Sequence, residues 1–438
     1  MNIKRITSKT PEIINFNNHI GQQITFRCTV YKIRKLRGFA FVIAKTVSGN
    51  VQCIYVDNEA QFSLDELQEN MSVEFSGLVV SDERSKLGFE IHLISFRLLS
   101  VPYESTPVVI NGKELPLSID TMLDYRPITL RNEKETAIFR LQHGLTRGIR
   151  DFLDNNGFTE IHSPKLVCSG AEGGANIFSL DYFGKKAFLA QSPQFYKQQM
   201  TAVFGRVYEI APVFRAEKHS TSRHLNEYIS VDIEMGYIEN YEEIMSVECA
   251  MLRHTFDFLK ANYARELELL EVSMPEISSV PFISFHDAKA LIARSFNRVQ
   301  TERNDFEPEE EKLLCKLIFE MTGSEFVFVT KYPSAKRPFY AKDSENEIVT
   351  ESFDLLFRGL EITTGGMRIH DYEEQIRKME RKGLNPDNFT SYLMAHKHGL
   401  PPHGGLGLGL ERLLAQLIGF SNVHRTSLFP RDTERLAP

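Results

Sequence analysis

Apolar and polar positions change rhythm along this chain of 438 residues. Up to residue 105 they alternate over short β-branched and aromatic runs: QITFRCTVYKI, GFAFVIAKT, VQCIYV, MSVEFSGLVV and FEIHLISFRLL. A period of two is the mark of strands with one face buried. Ser48-Gly49-Asn50 suits a tight connection, and a short helical stretch near Ser63–Gln68 falls between the third and fourth runs. Five strands with a helix after the third predict an OB-type barrel at 1–105; another small barrel or sandwich is the alternative. Residues 101–131 carry Pro102, Pro107, Pro116 and Pro127 without helical period, so 106–131 reads as a linker. The rhythm then turns helical. Asn132 is a good N-cap, and Glu135 is placed as in a capping box. Ile138, Leu141, Leu145, Ile149 and Phe152 share one face before Asn155-Asn156-Gly157 stops the helix. Further on, RVYEIAPVFRAE, YISVDIEMGYI, FEMTGSEFVFVTKYP and LLFRGLEITTGG read as strands, with an acidic helical stretch over 241–270. The expected class is α+β, with a second domain at 132–438 on a mainly antiparallel sheet.

Composition narrows the functional classes. Hydrophobic residues make up 42% and charged residues 25%, as in ordinary globular proteins. No apolar run approaches the roughly 20 residues of a membrane helix, and the N-terminus lacks a signal-peptide core, so the expected location is the cytoplasm. Cys28, Cys53, Cys168, Cys249 and Cys315 form no CxxC pair and read as small buried hydrophobes. A net charge of −7 argues against a surface coated with basic groups. Basicity is local: Arg27, Lys32, Arg34, Lys35, Arg37 and Lys45 fall in a stretch without acids.

Two segments combine charge with unusual backbone. Phe214-Arg215-Ala216-Glu217, then Arg223-His224-Leu225, places two guanidiniums at one hairpin mouth, and arginine suits bidentate phosphate or carboxylate contacts. His403-Gly404-Gly405-Leu406-Gly407-Leu408-Gly409-Leu410-Glu411-Arg412 joins a glycine-rich loop to a helix start, a place for an anion. Taken singly, a solvated charged hairpin and an ordinary glycine loop remain open. No GxxxxGK[ST] run is present, which excludes a P-loop.

Together these segments resemble motifs 2 and 3 of the class II aminoacyl-tRNA synthetases. Pro164 resembles the motif 1 proline, which implies a homodimer. The resemblance spans nearly the whole chain. Gln191-Ser192-Pro193-Gln194-Phe195-Tyr196-Lys197 and Gly359-Leu360-Glu361-Ile362-Thr363-Thr364-Gly365-Gly366-Met367-Arg368 are similar to stretches of aspartyl-tRNA synthetases of the archaeal and eukaryotic type. That family implies an anticodon-reading OB barrel and a class II catalytic domain. It also implies ATP and L-aspartate as substrates, Mg²⁺ as cofactor, and tRNA(Asp), in some relatives also tRNA(Asn), as partner. The asparaginyl enzymes of the same subclass are the alternative; a non-charging paralogue is another.

The resemblance also implies roles. Lys197 and Arg368 would bracket the substrate's side-chain carboxylate, with Gln194, Thr364 and Glu172 completing the aspartate site. Arg215 would bridge the α-carboxylate and α-phosphate. Ala216, Glu217, Arg223, His224, Leu225, Gly409, Leu410, Glu411 and Arg412 would hold ATP. Glu361 and Thr364, helped by Asp354, would coordinate Mg²⁺. In the barrel, Phe39 and Phe41 would stack anticodon bases or fill the core, Arg27, Lys32, Arg34 and Lys86 would contact phosphates or bases, and Tyr31 would stand near the wobble end of the anticodon. Two departures stand out. Thr364 replaces the usual Ser, and Met367 replaces the Gln common in aspartyl enzymes, so that Met367-Arg368-Ile369 is similar to asparaginyl enzymes.

Overall fold

The computed structural model describes residues 14–170, 176–219, 221–299, 301–346 and 348–437. Glu172 lies outside them. The chain divides into two compact units, 1–115 and 116–438.

The first unit is a closed barrel of β1 (Gln23–Lys35), β2 (Phe39–Thr46), β3 (Gly49–Val56), β4 (Ser72–Ser81) and β5 (Phe89–Ser100), in the order β1-β2-β3-β5-β4. Closure leaves no strand edge to aggregate. Ala40, Val42 and Ala44 are fully buried, which turns Phe39 and Phe41 outward. The segment after β5 folds back on β1. Ile110 is buried, and its carbonyl accepts from the Tyr31 hydroxyl at 2.9 Å. Residues 106–115 therefore belong to the barrel unit rather than to a linker.

The second unit opens with α1 (Ile119–Asp124) and α2 (Arg126–Thr129), where a linker was expected. Helices of six and four residues are too short to show a period. Pro127 fits because it sits in the first turn of α2. Arg126 is fully buried and pairs with Glu135 at 3.2 Å. Glu135 also meets Arg425 at 2.5 Å. α3 (Glu133–Asn155) follows the predicted face, with Asn132 as its cap.

Next come β6 (Thr159–Glu160), β7 (Leu166–Val167), β8 (Ser179–Tyr182), β9 (Lys185–Leu189), α4 (Gln194–Phe204), β10 (Arg206–Phe214) and β11 (Glu227–Gly236). α5 (Tyr241–Asn262) and α6 (Ala264–Leu269) lead to β12 (Phe282–Ser284), α7 (Phe285–Phe296) and α8 (Pro308–Thr322). Residues 319–322, read as strand, close α8. The chain ends with β13 (Phe326–Thr330), β14 (Ser352–Phe357), β15 (Leu360–Met367), α9 (Tyr372–Arg381), α10 (Thr390–His398), β16 (His403–Gly409) and α11 (Leu410–Ile418).

Eight strands form one sheet, β12-β13-β14-β15-β16-β11-β10-β6, antiparallel except at its two ends. α3 and α5 pack together beneath it. Gly148 permits the approach, because a Cβ there would lie 3.1 Å from the Thr255 Cα. The apolar core fills the space between these helices and the sheet, so the opposite face is left to carry chemistry.

Candidate active site

The open face holds a cavity of about 660 Å³ lined by residues of the β10–β11 loop, β11, β15, β16, α4 and α11. The glycine-rich segment expected as a loop is β16, a central strand. Its alternate glycines lie opposite the acids of β11: Gly405 pairs with Glu234, Gly407 with Asp232 and Gly409 with Ser230. A Cβ on Gly405 would fall 2.2 Å from the Glu234 carboxylate. The absent side chains thus make room for buried charge.

Lys197 and Arg368 line the same cavity and share Glu234. Lys197 Nζ lies 2.9 Å from Asp232 and 3.3 Å from Glu234, and donates to the Leu406 carbonyl at 2.8 Å. Arg368 Nε donates to Glu234 at 2.9 Å and Nη2 to the Gly405 carbonyl at 2.9 Å. Burial would raise the Glu234 carboxyl, but Arg368 and Lys197 outweigh it and hold it below the usual range. The four charges cancel. Arg368 Nη1 and Gln194 Nε2 have no hydrogen-bond partner among the described residues. Lys197, Arg368 and Gln194 thus bring N–H donors to the cavity lining, beside the carboxylate of Asp232.

At the other end stand Arg215, Glu217, Arg223, His224, Leu225, Gly409, Glu411 and Arg412, all lining the cavity. The loop between β10 and β11 is pinned by Asn226, whose amide donates to the carbonyls of Arg215 at 2.8 Å and Glu217 at 3.1 Å. His224 lies 3.7 Å from Glu217, and burial lowers its pKa. Ala216 and Leu410 do not line the cavity: Ala216 donates its N–H to the Asn176 carbonyl, and Leu410 is in the core. Glu411 has a structural task, accepting the Ile229 N–H at 3.1 Å with both oxygens. Burial pushes its carboxyl up to about 8.

Glu361 is partly exposed on the cavity wall, with the Thr364 hydroxyl donating to it at 3.3 Å and Arg412 Nη1 at 3.4 Å. Asp354 departs from expectation. It is buried, outside the cavity lining, and bound by Arg337 at 2.7 Å. Burial and the Glu361 charge raise it to about 6 against the pull of Arg337. No group of three His, Cys, Asp or Glu side chains is gathered for a metal among the described residues. The oxygen donors of Glu361 and Thr364, facing a cavity with cationic walls, fit a hard divalent ion brought in with a polyanion.

The model for tRNA synthetases class II (D, K and N) matches residues 118–433. Aspartate–tRNA(Asp/Asn) ligase of Deinococcus radiodurans is 44% identical, covering 96% of this chain and 97% of that protein. The chain belongs to the class II tRNA synthetases, in the aspartate–tRNA ligase family. Aspartate–tRNA(Asp) ligase of Pyrococcus furiosus is 40% identical over 95% of this chain and 97% of its own. Among solved structures, asparaginyl-tRNA synthetase of Pyrococcus horikoshii complexed with asparaginyl-adenylate superimposes with a TM-score of 0.88 at 28% identity, covering 96% of this chain and 97% of that one.

In this synthetase Met367 is buried in the core, so its departure from the aspartyl pattern lies outside the cavity lining. Asp232, Glu234, Glu311 and Arg337 were missed by the sequence reading. Alternation along YISVDIEMGYI places Ser230, Asp232 and Glu234 on one strand face, the one signal available for the two acids. In the barrel unit, Phe39 and Phe41 make an outward edge-to-face pair at 5.5 Å. Arg27 pairs with Glu74 at 2.9 Å on the surface, and Lys32 donates to the Asn111 carbonyl at 3.0 Å. Arg34 is on β1 opposite Phe41, and Lys86 is in the turn before β5. Tyr31 differs from the expected anticodon contact: its ring is buried and its hydroxyl braces the 106–115 segment. No helix among the described residues is long and apolar enough to cross a membrane.

Proposed function

We propose that this synthetase activates L-aspartate with ATP and transfers it to tRNA(Asp). The aspartate α-carboxylate attacks the α-phosphorus, pyrophosphate leaves, and the terminal adenosine hydroxyl of the tRNA then attacks the aspartyl carbonyl and releases AMP. Neither step needs a protein nucleophile; catalysis is orientation and charge stabilisation. Arg215 would hold α-carboxylate and α-phosphate together. Arg223, His224 and Arg412 would bind the remaining phosphates and flank the adenine, whose amino group Glu217 would accept. Glu361 and Thr364 would hold Mg²⁺, which when bound neutralises phosphate charge. Glu172 would pair with the substrate ammonium.

The observation that carries the choice of amino acid is that Lys197, Arg368 and Gln194 bring N–H donors to one cavity lining. A carboxylate accepts with both oxygens, whereas a carboxamide must turn its own NH₂ toward a donor. Such mismatches in buried sites cost several kcal/mol. A homodimer is proposed on the resemblance of Pro164 to motif 1, and the exposed Phe39 with the half-buried Phe41 beside it is proposed to stack anticodon bases. Two curated relatives differ in tRNA range, one named for tRNA(Asp/Asn) and one for tRNA(Asp). Charging separate tRNA(Asp) and tRNA(Asn) transcripts with labelled aspartate tests the proposal. Charging of tRNA(Asp) is expected; no charging of either would refute it, and the second transcript sets the range.

A further inference from the structure

Glu311 lies on α8, 88 residues from Arg223 and 50 from Glu361 in sequence, yet its carboxylate meets both. Arg223 Nη2 donates to Glu311 Oε2, and the same oxygen accepts the Glu361 backbone N–H at 3.0 Å. Glu361 in turn accepts from Arg412 Nη1 through its carbonyl at 2.9 Å. A chain of contacts thus runs from the β10–β11 loop through α8 and β15 to α11. Its two ends, Arg223 and Arg412, line the cavity. Glu311 does not line it and is buried. It therefore stands behind Arg223, on the side away from the site.

We propose that Glu311 is a positioning residue for nucleotide binding: one buried carboxylate holds the Arg223 guanidinium and the Glu361 backbone at a fixed separation, so that the phosphates of ATP meet donors already in place. An arginine on a loop otherwise loses side-chain freedom at the moment of binding, which weakens affinity. Holding it in advance removes that loss, and a second guanidinium face stays open to the phosphate. Glutamate suits the task because one carboxylate oxygen, with more than one lone pair, accepts from two elements at once. The inference rests on the assignment of Arg223 to ATP.

The test is a double-mutant cycle read by ATP–pyrophosphate exchange. Glu311→Ala and Arg223→Ala are each expected to raise the KM for ATP roughly tenfold, while the KM for aspartate stays within about twofold. In the Arg223→Ala background, Glu311→Ala is expected to add less than twofold. Glu311→Gln keeps the volume and one carbonyl acceptor, and is expected to fall between wild type and Glu311→Ala. Equal rises in both KM values, or a full tenfold further loss in the Arg223→Ala background, would overturn the proposal. A Glu311→Gln variant that folds and shows the KM loss of Glu311→Ala would also count against it, since the carbonyl acceptor would then be doing nothing. If Arg223→Ala left the KM for ATP unchanged, the assignment of Arg223 would fall instead.

Discussion

Lys197 shows how a residue's meaning depends on its partners. Read alone, it and Arg368 are two cations awaiting a carboxylate. In the fold, Asp232 and Glu234 already balance them, so under the proposed function a carboxylate would be recognised by N–H donors rather than by net positive charge. Removing one member of such a buried set leaves net charge behind, at a cost of about 3–5 kcal/mol. Lys197→Met is therefore expected to lower kcat/KM for aspartate in pyrophosphate exchange by roughly 10²–10³-fold, with the KM for ATP changed about threefold or less. An unchanged aspartate dependence would refute the role. Glu248 on α5 poses the opposite case. It is fully buried, and burial pushes it from 4.5 to about 8 against the pull of the Thr363 hydroxyl. A carboxyl whose folded pKa is raised is protonated in the fold while the unfolded chain ionises. Its ionisation therefore costs stability increasingly from about pH 4.5 to 8. Glu248→Gln is expected to have little effect near pH 4.5 and to stabilise on the order of a few kcal/mol at pH 8, measured by denaturant unfolding at both values. A gain independent of pH would contradict this.

At the scale of elements, β16 ties sequence to site. Its glycines were legible as a motif, yet their strand conformation was not, because glycine disfavours strands locally and only the neighbours β11 and β15 hold it extended. Gly405→Ala would set a Cβ 2.0 Å from the Ile233 carbonyl oxygen. It is expected to destabilise the fold by several kcal/mol, seen as a lower Tm, and to abolish aspartate-dependent exchange; wild-type Tm and activity would refute the packing argument. The five barrel strands and α3 were readable because their periods run over many residues. α1 and α2 were not, since one or two turns carry no period. α4 was hidden for another reason: its buried face, Gln194, Lys197, Gln198 and Thr201, is polar. Glu311 and Arg337 were invisible because their partners are distant in sequence.

For the whole molecule, the candidate site draws its cavity lining from residues 191–423, within the second unit. The aspartate and nucleotide roles therefore belong to that unit, and those proposed for tRNA recognition to the barrel. A fragment of residues 116–438 is expected to retain aspartate-dependent pyrophosphate exchange and to lose most tRNA charging; loss of both in a folded fragment would refute this division of labour. The central claim is that the cavity end built by Lys197, Arg368, Gln194, Asp232 and Glu234 accepts a carboxylate and rejects a carboxamide. Amino-acid-dependent ATP–pyrophosphate exchange by the intact protein, with aspartate and asparagine in parallel, tests it most directly. Exchange with aspartate at least about 10²-fold more efficient than with asparagine is predicted; equal or preferred use of asparagine would contradict it.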